Sequence, residues 1–71
     1  MPNHTFQLTQ EYIELCNLLK LVGLADSGGT GKALVAQGLI SVDGQPESRK
    51  TAKIRAGQTV QFQDHVIAVI A

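Results

Sequence analysis

The chain has 71 residues, 44% hydrophobic and 17% charged, with six basic side chains against six acidic ones. That length and balance suit one small domain, residues 1–71, whose core leaves little room for a deep enzyme pocket. The single cysteine, Cys16, excludes an internal disulfide and a cysteine-built zinc cluster, and no apolar run approaches the about 20 residues of a membrane span.

The start, Met1-Pro2-Asn3-His4, lacks the charged-then-apolar pattern of a secretion signal, so a cytoplasmic protein is expected. Phe6-Gln7-Leu8 alternates like a short strand. Thr9 is a candidate N-cap for a first helix, with Glu11 in its opening turn. From Tyr12 to Val22 the apolar positions recur at helical spacing and form a wide buried stripe that takes in Cys16 as core filler. Glu11 and Glu14 fall on the exposed edge of this helix. Gly23 is its expected stop.

A second helix is expected from a cap at Asp26 or Ser27 to about Gln37, with Gly38 ending it. Its core side reads as Ala33, Leu34 and Ala36, with Val35 at the margin. The period then changes. Leu39-Ile40-Ser41-Val42 is a strand, Asp43-Gly44 a tight turn, and Pro46 makes the next segment irregular at its outset. Ala56-Gly57-Gln58 is a turn, Thr59 to Phe62 a half-buried strand, Asp64-His65 a turn in solvent, and Val66 to Ile70 a last strand. Aromatic residues are scarce (Phe6, Tyr12 and Phe62), so the core must be aliphatic. The fold class expected is α+β: a two-helix hairpin packed on a small, mostly antiparallel β-sheet.

Four of the six basic residues, Arg49, Lys50, Lys53 and Arg55, crowd into seven positions. Such a run is either a solvated face or an anion-binding surface. From Ser27 to Arg55 the balance is +3, whereas the first 26 residues carry −2 and the last sixteen −1. The molecule is therefore dipolar despite its zero net charge.

Gly28-Gly29-Thr30-Gly31-Lys32 invites comparison with a nucleotide phosphate loop, and the spacing refuses it. Asp26 stands where that loop needs its first glycine, and Ala33 where it needs a magnesium-binding hydroxyl. The dinucleotide pattern fails at Leu34. Two readings of the glycines stay open: a flexible helix start, or free backbone N–H groups that let a phosphate approach, with Lys32 a turn further on. His4 and His65 are expected to lie far apart, each without a metal-ligating neighbour at helical spacing. No motif argues for catalysis, a metal or a cofactor.

Ser27-Gly28-Gly29, the run Lys32 to Gly44 (KALVAQGLISVDG) and the later Ile54 to Phe62 (IRAGQTVQF) together resemble the S-four-like RNA-binding domain family, including its stand-alone bacterial members. The likeness extends over about residues 10 to 63. It implies two helices packed on a β-hairpin sheet, the α-L motif, and binding of structured RNA of the ribosomal or transfer class. Carried onto this chain, the implied contacts are Ser27, Gly28, Gly29 and Lys32 with Arg49, Lys50, Lys53 and Arg55. Asp43 and Glu47 depart from a purely basic surface. Scarce aromatics disfavour base stacking and favour backbone and shape recognition. The expectation is a non-catalytic, monomeric RNA-binding protein with no cofactor and no membrane contact. Its partners would be structured RNA and the ribosome or RNA-processing enzymes. The rival classes are a protein-interaction adaptor that uses an exposed C-terminal edge strand, Val66 to Ile70, and an accessory domain that serves an enzyme in trans.

Overall fold

The computed structural model describes residues 3–71. Met1 and Pro2, which open the proposed N-terminal reading, lie outside the described residues. Among those described, no helix is long and apolar enough to cross a membrane.

Strand β1 (Asn3–Gln7) is followed by a two-residue strand, β2 (Ile13–Glu14), and helices α1 (Leu15–Leu21) and α2 (Gly28–Ala36). Then come β3 (Ile40–Val42), β4 (Gln45–Pro46), β5 (Lys53–Ile54), β6 (Thr59–Phe62) and β7 (His65–Ile70). Five strands form one sheet in the order β1-β7-β6-β3-β4, and β2 pairs with β5 in a separate ribbon. All pairings are antiparallel except β1 with β7, which run parallel from Asn3↔Val66 to Gln7↔Ile70. Alternation sends Ile40, Val60, Ile67 and Val69 inward to meet Leu15, Leu18, Leu19 and Val35 of the helices, an aliphatic core as expected. Pro46 has no N–H to give and sits on β4, the outermost strand, where its missing donor costs no ladder bond.

The parallel pair overturns two expectations. Residues 66 to 70 are not an edge: β7 lies between β1 and β6, so its backbone groups are already taken. The edge-strand adaptor therefore loses its structural basis. His4 and His65 are not apart either, because β1 lies against β7 and brings His4 Nε2 to 3.3 Å from His65 Nδ1. His65 opens β7 instead of sitting in a turn; the turn is Gln63-Asp64, with Gln63 at φ +55°.

The first helix is shorter than the sequence suggests. Residues 9 to 12 are irregular, Ile13 and Glu14 pair with Ile54 and Lys53, and α1 begins only at Leu15. Its cap, Glu14, makes no side-chain capping bond. The backbone N–H groups of Leu15 and Cys16 donate instead to the carbonyls of Ala52 (2.9 Å) and Lys50 (3.2 Å). Distant carbonyls thus replace the local cap that Thr9 would have provided. Glu11 and Glu14 consequently lie before the helix, not along its edge.

Helix α2 starts as expected: Ser27 Oγ accepts the Thr30 N–H at 3.2 Å. Its buried side differs from the expected one. Gly31 and Val35 face inward, Leu34 is half-buried, and Ala33 and Ala36 are exposed. Gly31 is the reason: a Cβ there would lie 2.6 Å from the Cys16 carbonyl oxygen, so only glycine permits this helix crossing. Once Gly31 faces α1, the residue one turn on, Val35, must follow it.

The Asp43-Gly44 turn forms as read, with both residues at positive φ (+52° and +83°). Asp43 also has a tertiary task. Its backbone N–H donates to the Thr59 carbonyl at 2.8 Å, and its Oδ1 accepts the Thr59 N–H at 2.9 Å, tying the hairpin to β6.

Candidate nucleic-acid interface

The basic run is held in place by its backbone. The Ala52 N–H closes a turn onto the Arg49 carbonyl at 3.2 Å. The Lys50 and Ala52 carbonyls receive the first N–H groups of α1, and Lys53 and Ile54 pair with β2. Ala52 and Ile54 are buried and anchor the segment to the core. Residues 49, 50 and 53 between and beside these anchors project outward.

Cys16 connects this segment to α2. Its N–H reaches the Lys50 carbonyl, and its own carbonyl and Cα abut Gly31. Lys32, the next residue on α2, therefore faces the basic run across a short gap. The result is an open concavity of about 840 Å³ lined by Lys32, Arg49, Lys50 and Lys53, with Ser48, Thr51 and Ala52. Two chain segments some twenty residues apart thus supply one cationic surface.

The cations differ in what already holds them. The Arg49 guanidinium engages Glu47 with two contacts, Nη2 to Oε1 at 2.9 Å and Nε to Oε2 at 3.2 Å. The Arg49 backbone N–H adds a third, also at 3.2 Å. The Arg49 side chain is 78% exposed and that of Glu47 only 18%. These bonds, the side-chain ones foremost, hold the Glu47 carboxyl below its ordinary range and raise the Arg49 guanidinium above its own. Arg55 Nη1 is paired with Glu11 Oε1 at 3.1 Å, giving Glu11 a tertiary partner. Among the described residues no carboxylate lies within ion-pair distance of Lys32, Lys50 or Lys53.

Four of the eight expected contact residues, Lys32, Arg49, Lys50 and Lys53, converge on the concavity. Arg55 does not line it. It faces the adjoining surface, where its Cζ lies 5.9 Å from the centre of the Tyr12 ring. Ser27, Gly28 and Gly29 do not line it either; they form the start of α2, a turn before Lys32. The Ser27 hydroxyl is engaged with Thr30, and added Cβ atoms at Gly28 and Gly29 would meet their nearest neighbours only at 3.9 and 3.7 Å. Close packing thus explains Gly31 and leaves Gly28 and Gly29 without a steric reason. Sequence reasoning passed over Tyr12, whose ring lies 4.9 Å from Lys53 Nζ. No local signal marks it, because both cations near it come from β5 and its flank.

Known proteins resemble this chain in sequence and in fold. Residues 6–70 match the S4 domain family. An Escherichia coli (strain K12) protein named "Putative RNA-binding protein YbcJ" is 48% identical over 68 residues, which cover 94% of this chain and 97% of that one. A Shigella flexneri protein named "Uncharacterized protein YbcJ" matches to the same extent. The solution structure of E. coli YbcJ, described as revealing an αL motif involved in RNA binding, superposes with a TM-score of 0.73. That match covers 94% of this chain and 86% of the other. With its profile, its relatives and its backbone all in agreement, the chain belongs to the S4 domain family.

Proposed function

We propose that this protein binds structured RNA, of the ribosomal or transfer class, by its phosphate backbone and without catalysing a reaction. The observation that carries the reading is the convergence of Lys32, Lys50 and Lys53, none of them ion-paired among the described residues, on one open surface. Unpaired ammonium groups on a rigid backbone recruit phosphates and release counterions. Arg49 stands at the same surface with its fork occupied by Glu47 and contributes less until that pair opens. The lining offers cations and hydroxyls and no carboxylate or imidazole to move a proton, which favours recognition over chemistry. Family membership and the name of the E. coli relative support the same ligand class. Ser27, Gly28 and Gly29 would extend the contact along the start of α2, and Arg55 on the other side.

Titration of a folded RNA over a range of salt tests this. Three neutralised phosphates give a slope of log K against log salt of about −3. Replacing Lys50 and Lys53 together by Glu should cost at least about tenfold in affinity. The thermal midpoint should hardly move, because both side chains are exposed. Absence of RNA binding at low salt would refute the reading.

A further inference from the structure

Tyr12 is the one tyrosine of a chain without tryptophan. The other two aromatic rings, Phe6 and Phe62, pack against the core. Tyr12 instead lines a second concavity, about 390 Å³, together with Gln10, Glu11, Ile13, Glu14 and Asn17. Lys53 Nζ stands 4.9 Å from its ring centre and Arg55 Cζ 5.9 Å, both within reach of a cation–π contact. Lys53 also lines the basic groove, so the ring stands where that groove meets the second concavity.

We propose that Tyr12 is a stacking platform for one unpaired nucleobase of the bound RNA. The proposal rests on the RNA-binding reading and adds to it a place for a base. A phosphate on Lys53 puts its own nucleoside within a few ångströms of the ring. The second concavity leaves room for a base turned out of a helix. The Gln10 amide can donate to and accept from a base edge, and the Asn17 amide, whose Nδ2 donates to Glu14 Oε1 at 3.4 Å, keeps its oxygen to accept. Stacking on a single ring is tolerant of base identity, so the surface would select for an unpaired nucleotide and not for a sequence. Lys53, over the ring, serves twice, as a phosphate ligand and as a holder of the ring's orientation, which the Glu11-paired Arg55 also helps to fix. A merely structural tyrosine would make the same cation–π contacts, which is what the test must separate.

Three RNAs serve as probes: a blunt duplex, the same duplex with one bulged nucleotide, and the same with an abasic bulge. The bulged RNA should bind about tenfold tighter than the blunt one, the scale of one base–aromatic stack. Tyr12→Ala should abolish that preference and leave binding of the blunt duplex within about twofold, while Tyr12→Phe retains the preference. Tyr12 is the sole tyrosine, so its emission in the unmodified protein is an independent readout. It should be quenched by the bulged RNA and not by the abasic one. Equal affinity for bulged and blunt RNA, or unchanged emission at saturation with the bulged RNA, overturns the proposal. The RNA-binding reading survives that outcome if the slope with salt persists. If none of the three RNAs binds at low salt, both fall.

Discussion

The lysines and the arginines of the basic surface have been put to different uses. Both arginines are committed within the molecule, Arg49 to Glu47 and Arg55 to Glu11. The three groove lysines have no carboxylate partner among the described residues. The division follows from side-chain chemistry. A planar guanidinium matches a carboxylate with two parallel contacts, as Arg49 does, and is worth fixing in place. An ammonium is a strongly hydrated point charge on a flexible stem, suited to meeting a phosphate whose position varies. Counting basic residues therefore overstates the charge available to a ligand. The arginines shape the surface, and the lysines remain to receive an anion.

The largest effect should come from disturbing the frame on which the lysines stand. Gly31→Ala drives a methyl group into the Cys16 carbonyl, and overpacking of this kind costs about 1–3 kcal/mol, read as a lowered thermal or denaturant midpoint. It should also weaken RNA binding beyond its effect on stability, because Lys32 moves with α2. Gly28→Ala, a few residues away, meets only an ordinary contact at 3.9 Å and serves as the control for stability. An equal loss at both glycines would show that the helix crossing does not set the groove.

Next comes the direct comparison. Lys32→Ala should reduce the magnitude of the salt slope by about 0.9, one phosphate contact, whereas Arg49→Ala should leave the slope nearly unchanged. Equal reductions would erase the distinction between free and committed cations.

The smallest effect, and a gain, is expected from releasing an arginine. Glu47→Gln removes the partner of Arg49 and should tighten RNA binding by about twofold to fivefold, the range of an exposed ion pair. The pH dependence has a definite sign. The Glu47 carboxyl is held below its ordinary value, so the stabilisation from its pair with Arg49 is complete above that ordinary value. It is lost as the pH falls through the lowered one. Arg49 is therefore released only in acid, and at neutral pH the Gln variant is needed to see it.

Much of the fold could be read directly from the chain, where the signals were local. Ser27 capped its helix, Gly23 and Gly38 took the positive φ that ends one, and Asp43-Gly44 turned the hairpin, all by interactions within a few residues. The misreadings have distant causes. Helix α1 begins late because its first N–H groups are met by carbonyls more than thirty positions away. The buried side of α2 depends on a contact between Gly31 and another helix. The interior position of β7 depends on a parallel partner at the opposite end of the chain, for which no turn motif exists. The site was legible as a charge cluster. Which charges were free was not, because Glu11 lies 44 positions from Arg55.

The parallel pairing of β1 with β7 has a consequence for the order of events during synthesis. Asn3 and Val66, partners across that ladder, are 63 positions apart. Strand β1 therefore leaves the ribosome early and waits without a partner until β7 has followed. Joining chain segments so far apart carries a large loop-closure cost, and topologies of this kind fold slowly for their size. The helices and the β3–β4 hairpin can form from nearby residues, while β7 is set between β6 and β1 in a late step. A nascent chain stalled before residue 65 would carry both halves of the cationic groove and still lack a closed sheet.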